Sequence, residues 1–280
     1  MSEQNKYLTI SLQIKKHIQH LLQASNHKRI IIAISGGIDS AVALYLLKEA
    51  ILLENIYVLH LHYFRDSISK FKKVIEPLNL PKENILIYSI TDAVDIIAKG
   101  LQIKEGFLHS GSPRCRFGEA GRTDLSSVDK VRLGNIMARV RMAYLFDQAK
   151  RLNALVCGTE NRTENYLGYF TRFGDAASDF EVINHLYKSE VRVLAKHLHV
   201  PQEIINAPPS AGLWDDQTDE TELGVTYEEI DQVLRLHFDE KRSIEDVELK
   251  FNNARKILEI VERNRFKHEV PYLMKKDLSE

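Results

Sequence analysis

Residues 29–40 read RIIIAISGGIDS, a run of apolar and mostly β-branched side chains that stops at two glycines. Ile30, Ile31, Ile32, Ala33 and Ile34 follow one another without polar alternation, the pattern of a strand buried on both faces of a parallel sheet. Residues 40–53 beyond the glycines are rich in Ala and Leu and suit a helix. At such a strand–turn–helix junction the free N–H groups and the helix dipole favour an anion, and glycines let the backbone come close to it. Ser35, Gly36, Gly37, Ile38, Asp39 and Ser40 therefore form a candidate phosphate loop with two hydroxyl donors. Phosphate would repel Asp39 unless a cation lay between them, so Asp39 reads as a Mg²⁺ ligand. A Gly-Gly turn followed by Asp or Ser as N-cap is also ordinary helix-start chemistry. The turn is neither G-x-x-x-x-G-K-[ST] nor G-x-G-x-x-G, which sets aside the Walker A and dinucleotide-fingerprint readings.

Outward from this loop the period keeps switching. An amphipathic helix is expected over 8–25, strands over 56–63, 84–90 and 154–158, and helices over 67–76, 91–99 (capped by Thr91) and 130–153. Strand and helix in alternation predict an α/β fold, a doubly wound, mostly parallel sheet flanked by helices, with helical segments at both ends. We expect one domain over 1–280. Its core spans about 28–200 with an inserted loop at 104–129, followed by a Pro- and Gly-bearing loop at 207–224 and a helical part at 226–265 built on helices 226–238 and 244–263. The inserted loop carries Arg114, Arg116 and Arg122, which suits either a plain insertion or a lid over an anionic ligand.

Lys and Arg total 38 against 39 Asp and Glu, so no global basic field exists to hold nucleic acid or an anionic membrane. Two cysteines, Cys115 and Cys157, are too few for a disulfide framework and point to a reducing cytoplasm. No apolar run is long enough to span a bilayer.

SGGIDS resembles the pyrophosphate loop of ATP pyrophosphatases, which split ATP between its α and β phosphates. With GNIMARVRM (134–142), GTENRTENYLGYFTRFGD (158–175), LYKSEVRVLAKHL (186–198) and PPSAGLWDDQTDETELGVTYEEIDQVL (208–234), the chain is similar to ammonia-dependent NAD synthetase. That resemblance implies ATP-dependent amidation of deamido-NAD by ammonia through an NAD-adenylate, releasing AMP and pyrophosphate. It implies Mg²⁺ on Asp39 and Glu164, and ATP contacts from residues 35–40, Thr159, Lys188 and Ser210, with Asp39 and Lys188 catalytic. Thr159 would serve equally well as a helix N-cap. Deamido-NAD contacts fall on Arg139, Arg172, Asp179, Phe266 and Lys267. Arg139 and Arg141, about 200° apart on a helix, would face different ways. The resemblance further implies a homodimer built partly on the 134–142 helix and the C-terminal segment, and no glutaminase domain. Three departures bear on the acceptor pocket: Arg172 where lysine is usual, Gly174-Asp175-Ala176-Ala177 in place of GDGG, and Phe266 in place of histidine. They keep two alternatives in view, a relative that amidates a different carboxylate and a catalytically weak dinucleotide-binding protein.

Overall fold

The structure is a computed structural model that describes residues 3–64, 67–103, 126–209, 218–269 and 271. Helix α1 (Glu3–Ser25) leads into β1 (Arg29–Ala33), α2 (Ile38–Ala50), β2 (Ile56–His62), α3 (Ser67–Ile75), β3 (Ile85–Ser89) and α4 (Thr91–Gly100). Then come α5 (Ser127–Leu152), β4 (Ala154–Gly158), α6 (Arg162–Leu167) and β5 (Phe180–Glu181), followed by α7 (Lys188–His197) and α8 (Gln202–Ile205). The chain closes through α9 (Asp219–Leu223), α10 (Tyr227–Leu234), α11 (Ile244–Glu248) and α12 (Ala254–Asn264).

All five strands are parallel, in the order β3-β2-β1-β4-β5. Their β-branched side chains divide between two faces. Ile30 and Ile32 pack with α1, α2 and α7, while Ile31 packs with α4 and α5, and all three are wholly buried. That is why 30–34 reads as an unbroken apolar run, since both faces of β1 are covered. A third cluster, centred on Ile230, Val233, Leu234, Ile257 and Tyr187, joins the C-terminal helices to α6. Because β2 lies on one side of β1 and β4 on the other, the chain reverses direction across the sheet between β1 and β4. The crevice at their carboxyl ends is where doubly wound sheets bind ligands.

Several expectations need correction. Thr91 is the first residue inside α4 and does not cap it; the Ser89 hydroxyl accepts from its N–H at 3.3 Å. The inserted loop ends sooner than expected, because Ser126 caps α5 by accepting from Asp129 N–H and residues 127–129 are helical. The helix expected over 244–263 is two helices, and the one expected over 226–238 ends as α-helix at Leu234 and continues as a wider π turn over 235–239. The short β5 was not anticipated; two residues are too few for a periodic signal. Helix α9 lies inside the 207–224 loop. Ser210, Cys115, Trp214 and the arginines at 114, 116 and 122 lie outside the described residues.

Candidate active site

The loop after β1 carries the chain into α2 with Gly37 as N-cap and no side-chain cap, so neither Asp39 nor Ser40 has the capping role that the plain reading offered. Asp39 lies in the first turn of α2, and its carboxylate is free for other work. Gly36 has φ +92°, and a Cβ there would fall 2.7 Å from that of Lys70. Glycine is needed for both reasons. The two hydroxyls brace the turn: Ser35 Oγ accepts from Gly37 N–H (3.1 Å) and lies 3.2 Å from Ser40 Oγ, which donates to the Gly37 carbonyl.

The loop after β4, next door in the sheet, turns into α6. Asn161, and not Thr159, is the N-cap, with its Oδ1 accepting from Glu164 N–H at 3.0 Å. Thr159 is half-buried at the end of β4. The two loops meet over Lys188. Its Nζ donates to Asp39 Oδ2 at 2.6 Å and to Glu164 Oε1 at 3.0 Å, with the lysine side chain only 3% exposed. The Tyr227 ring lies 5.0 Å from the ammonium and adds a π-face. Thr163 Oγ1 accepts from Lys188 N–H (2.9 Å) and donates to Asp231, which also accepts from Ser189 N–H, so the start of α7 is bolted to α6 and α10.

The charges here are strongly coupled. Burial alone would lower the Lys188 pKa, but Asp39 and Glu164 hold it above the ordinary lysine range. Burial pushes the Glu164 carboxyl up to about 7 against the pull of Lys188, with Asp39 adding repulsion. The arrangement is a desolvated cation between two carboxylates, beside the glycine turn that opens α2. Asp39, Glu164 and Lys188, far apart in sequence, thus form one centre.

Arg139, Arg172, Phe266 and Lys267, four of the five residues expected at the acceptor, gather on a second patch along 168–175, while Asp179 is tied to β4. Arg139 is exposed and its Nε donates to the Arg172 carbonyl at 3.3 Å. Arg141 turns inward to the Leu61 carbonyl (3.2 Å), where burial lowers its pKa and Asp175 opposes the fall. The Arg172 guanidinium lies 5.1 Å from the Phe266 ring centre. Lys267 Nζ donates to the carbonyls of Gly168 (2.6 Å) and Phe170 (3.0 Å). Asp179 has a structural tie as well, with Oδ2 accepting from Val156 N–H at 2.7 Å. The positive φ in this segment falls on Phe173, at 59°, so Ala176 and Ala177 in the places of the usual glycines meet no backbone strain.

A half-buried acidic pair next to this patch went unforeseen. Glu181 Oε2 accepts from Glu160 N–H (3.0 Å) and Oε1 from Ser178 (3.0 Å), while Glu160 Oε1 is buried with no hydrogen-bond partner among the described residues. Gly158 makes room, since a Cβ there would lie 1.8 Å from the Glu181 carboxylate. Burial, with mutual repulsion at Glu160, pushes Glu160 up to about 8 and Glu181 to about 7 from an ordinary 4.5. A carboxyl with a higher pKa folded than unfolded holds a proton that the unfolded chain releases, so stability falls as pH rises from near 4.5 towards 8. The Tm is expected to drop by about 5 °C between pH 6 and pH 8.5. Glu160→Gln should flatten that slope in a scanning-calorimetry series, and an unchanged slope would remove Glu160 as its cause.

The centre is distinct from a cleft of about 630 Å³ between α6, α9 and α12, lined by Tyr169, Glu222, Lys256 and Arg263.

A family model described as NAD synthase matches residues 10–271. The NH₃-dependent NAD⁺ synthetase of Fusobacterium nucleatum is 35% identical over 269 residues, 94% of each chain. Two solved structures align over nearly the whole chain. NMN synthetase from Francisella tularensis has a TM-score of 0.75 and 30% identity, covering 99% of this chain and 100% of that one. NH₃-dependent NAD synthetase from Campylobacter jejuni has a TM-score of 0.73 and 25% identity, covering 98% and 100%.

Proposed function

Because the chain belongs to the NAD synthase family, we propose that the Asp39–Lys188–Glu164 centre is where ATP activates a nicotinate carboxylate for amidation. The protein is a carbon–nitrogen ligase that makes NAD⁺ from deamido-NAD, ATP and ammonia. A carboxylate resists direct attack by ammonia because its oxygen is a poor leaving group. Its oxygen instead attacks the α-phosphorus of ATP, the α–β phosphoanhydride bond breaks, and pyrophosphate departs. Ammonia then attacks the acyl carbon, the carbon–oxygen bond to AMP breaks, and nitrogen sheds a proton.

The observation that carries this assignment is Lys188 buried between Asp39 and Glu164, at the mouth of the loop 35–40. The loop N–H groups and the Ser35 and Ser40 hydroxyls would be the donors for the leaving pyrophosphate, Ser40 exchanging its bond to the Gly37 carbonyl for one to the ligand, and Lys188 would add its charge. Asp39 and Glu164 would hold Mg²⁺. Two carboxylates completed by phosphate oxygens and water suit that ion, and among the described residues no group of three His, Cys, Asp or Glu forms a protein-only cage. Bound there, Mg²⁺ would neutralise charge developing on the departing phosphates. Ser210 and Thr159 are proposed as further ATP contacts. Arg139, Arg172, Asp179, Phe266 and Lys267 are proposed for the dinucleotide, the exposed Arg139 and half-buried Arg172 offering cations to its phosphates.

A second acceptor is favoured by one observation, the end-to-end likeness to a solved NMN synthetase. Nicotinate mononucleotide would be activated at the same centre. One assay separates the two: protein, ATP, Mg²⁺ and ammonium are combined with either acid, and AMP, NAD⁺ and NMN are followed. Deamido-NAD is expected to give AMP and NAD⁺ in equal amounts. Faster turnover of the mononucleotide would shift the assignment to it, and AMP formation with neither would end the proposal.

The same reading includes a homodimer. Ile96 and Ile97 on α4, Leu101 just after it, and Val128 and Val131 on α5 are exposed apolar side chains, and the edge strand β3 exposes Ile87 and Tyr88. A second copy would cover them. Sedimentation equilibrium should return twice the chain mass, and Val131→Glu with Ile97→Glu should shift it to one. A cytoplasmic location is proposed on the two-cysteine composition, with Cys157 a buried free thiol. Among the described residues no helix is long and apolar enough to cross a membrane.

A further inference from the structure

Asn161 is wholly buried, and both ends of its side chain are engaged by different segments. Its Nδ2 donates to Asp39 Oδ1 at 2.9 Å, and its Oδ1 accepts from Glu164 N–H at 3.0 Å. Asp39 lies in the first turn of α2 after β1 and Glu164 in the first turn of α6 after β4, so one amide ties the Asp39 carboxylate to the backbone of the turn that carries Glu164. Lys188 ties them as well, but with a charge that also answers to phosphate. A phosphate that draws Lys188 away leaves two like charges facing each other in a desolvated setting. The Asn161 bonds carry no net charge and do not depend on the ligand. They also divide the work of the Asp39 oxygens: Oδ1 is occupied by the amide, and Oδ2 is the oxygen that Lys188 holds.

We propose that Asn161 is a positioning residue for nucleotide activation, holding Asp39 so that Oδ2 is presented beside the Glu164 carboxylate to the cation that accompanies ATP. This rests on the metal role proposed for Asp39 and Glu164. Neutral donors behind a liganding carboxylate hold its orientation, and removing one typically weakens metal binding about 10–100-fold. Serine or threonine at 161 keeps an oxygen to cap α6 but is too short to reach Asp39, so these variants separate the cap from the tie.

The experiment titrates Mn²⁺, read by electron paramagnetic resonance, into the full-length protein saturated with α,β-methylene-ATP. Asn161→Ser and Asn161→Thr are expected to raise the Mn²⁺ Kd about tenfold, and Asp39→Asn to raise it further. In turnover the half-saturating Mg²⁺ should rise by a similar factor, while kcat at saturating Mg²⁺ changes less than about threefold, a split that a merely structural defect would not produce. An unchanged Kd in both Asn161 variants, with Asp39→Asn weakened, would overturn the positioning role. An unchanged Kd in Asp39→Asn would instead remove the metal role on which it rests. Failure of both Asn161 variants to fold would make the residue a structural cap and also overturn the proposal.

Discussion

Lys188→Met is expected to lower AMP formation by about 10²–10³-fold and to destabilise the protein by about 3–5 kcal/mol, lowering Tm by about 10 °C. The two effects have one origin. The ammonium is buried and sits 2.6 Å from Asp39 and 3.0 Å from Glu164. Methionine keeps most of the side-chain volume, so the loss comes from leaving two carboxylates together without a counter-charge. A divalent cation would supply that charge, and Mg²⁺ should therefore raise the Tm of the variant more than that of the parent. Differential scanning fluorimetry with and without Mg²⁺ checks this. A variant as stable as the parent would show that Lys188 does not hold the carboxylates in solution.

Asp39→Asn carries the second large effect, in the opposite pattern. Asparagine has the same shape and its one amide oxygen can accept from either Asn161 or Lys188; the donor it does not serve must shift, and Lys188 retains Glu164 as a partner. The Tm should shift by no more than about 3 °C, since no buried charge is left alone. Pyrophosphate release should fall at least about 10³-fold, because the variant loses one of the two carboxylates proposed to hold the Mg²⁺ that would offset the developing phosphate charge. Coupled pyrophosphatase detection with deamido-NAD and ammonium gives the rate. Retention of more than a tenth of the parent rate would end the catalytic assignment of Asp39.

Asp39 and Lys188 illustrate how far the chain could be read in advance. Residues 29–40 announce the buried strand and the glycine turn into α2 because their signals are local: β-branched side chains with no alternation, then glycines where backbone approaches backbone. Glu164 and Lys188 carry no local signal of their own. They join Asp39 only by resemblance, and it takes β4 lying beside β1 to bring them within a hydrogen bond of it. Asn161 stood inside a quoted motif, and the pattern of Asn followed three residues later by Glu is a helix-start signature. That signature explains one end of the amide and says nothing of Asp39 at the other.

The misplaced boundaries follow the same division. Thr91 is a good cap by type, but at the end of β3 the Ser89 hydroxyl takes the exposed N–H instead. Strand β5 and the Glu160–Glu181 pair depend on 180–181 docking against the end of β4, a contact with no periodic trace in two residues.

What the amino-acid order determined alone is therefore four of the five strands, most of the helices and the glycine turn after β1, each the product of forces acting over a few neighbouring residues. The tertiary structure alone decided which charges meet. Strand order β3-β2-β1-β4-β5 makes the β1 and β4 loops neighbours at the reversal point, and burial there turns an ordinary lysine, aspartate and glutamate into one strongly coupled centre. Desolvation and proximity are properties of the packed chain, and no single stretch of residues contains them.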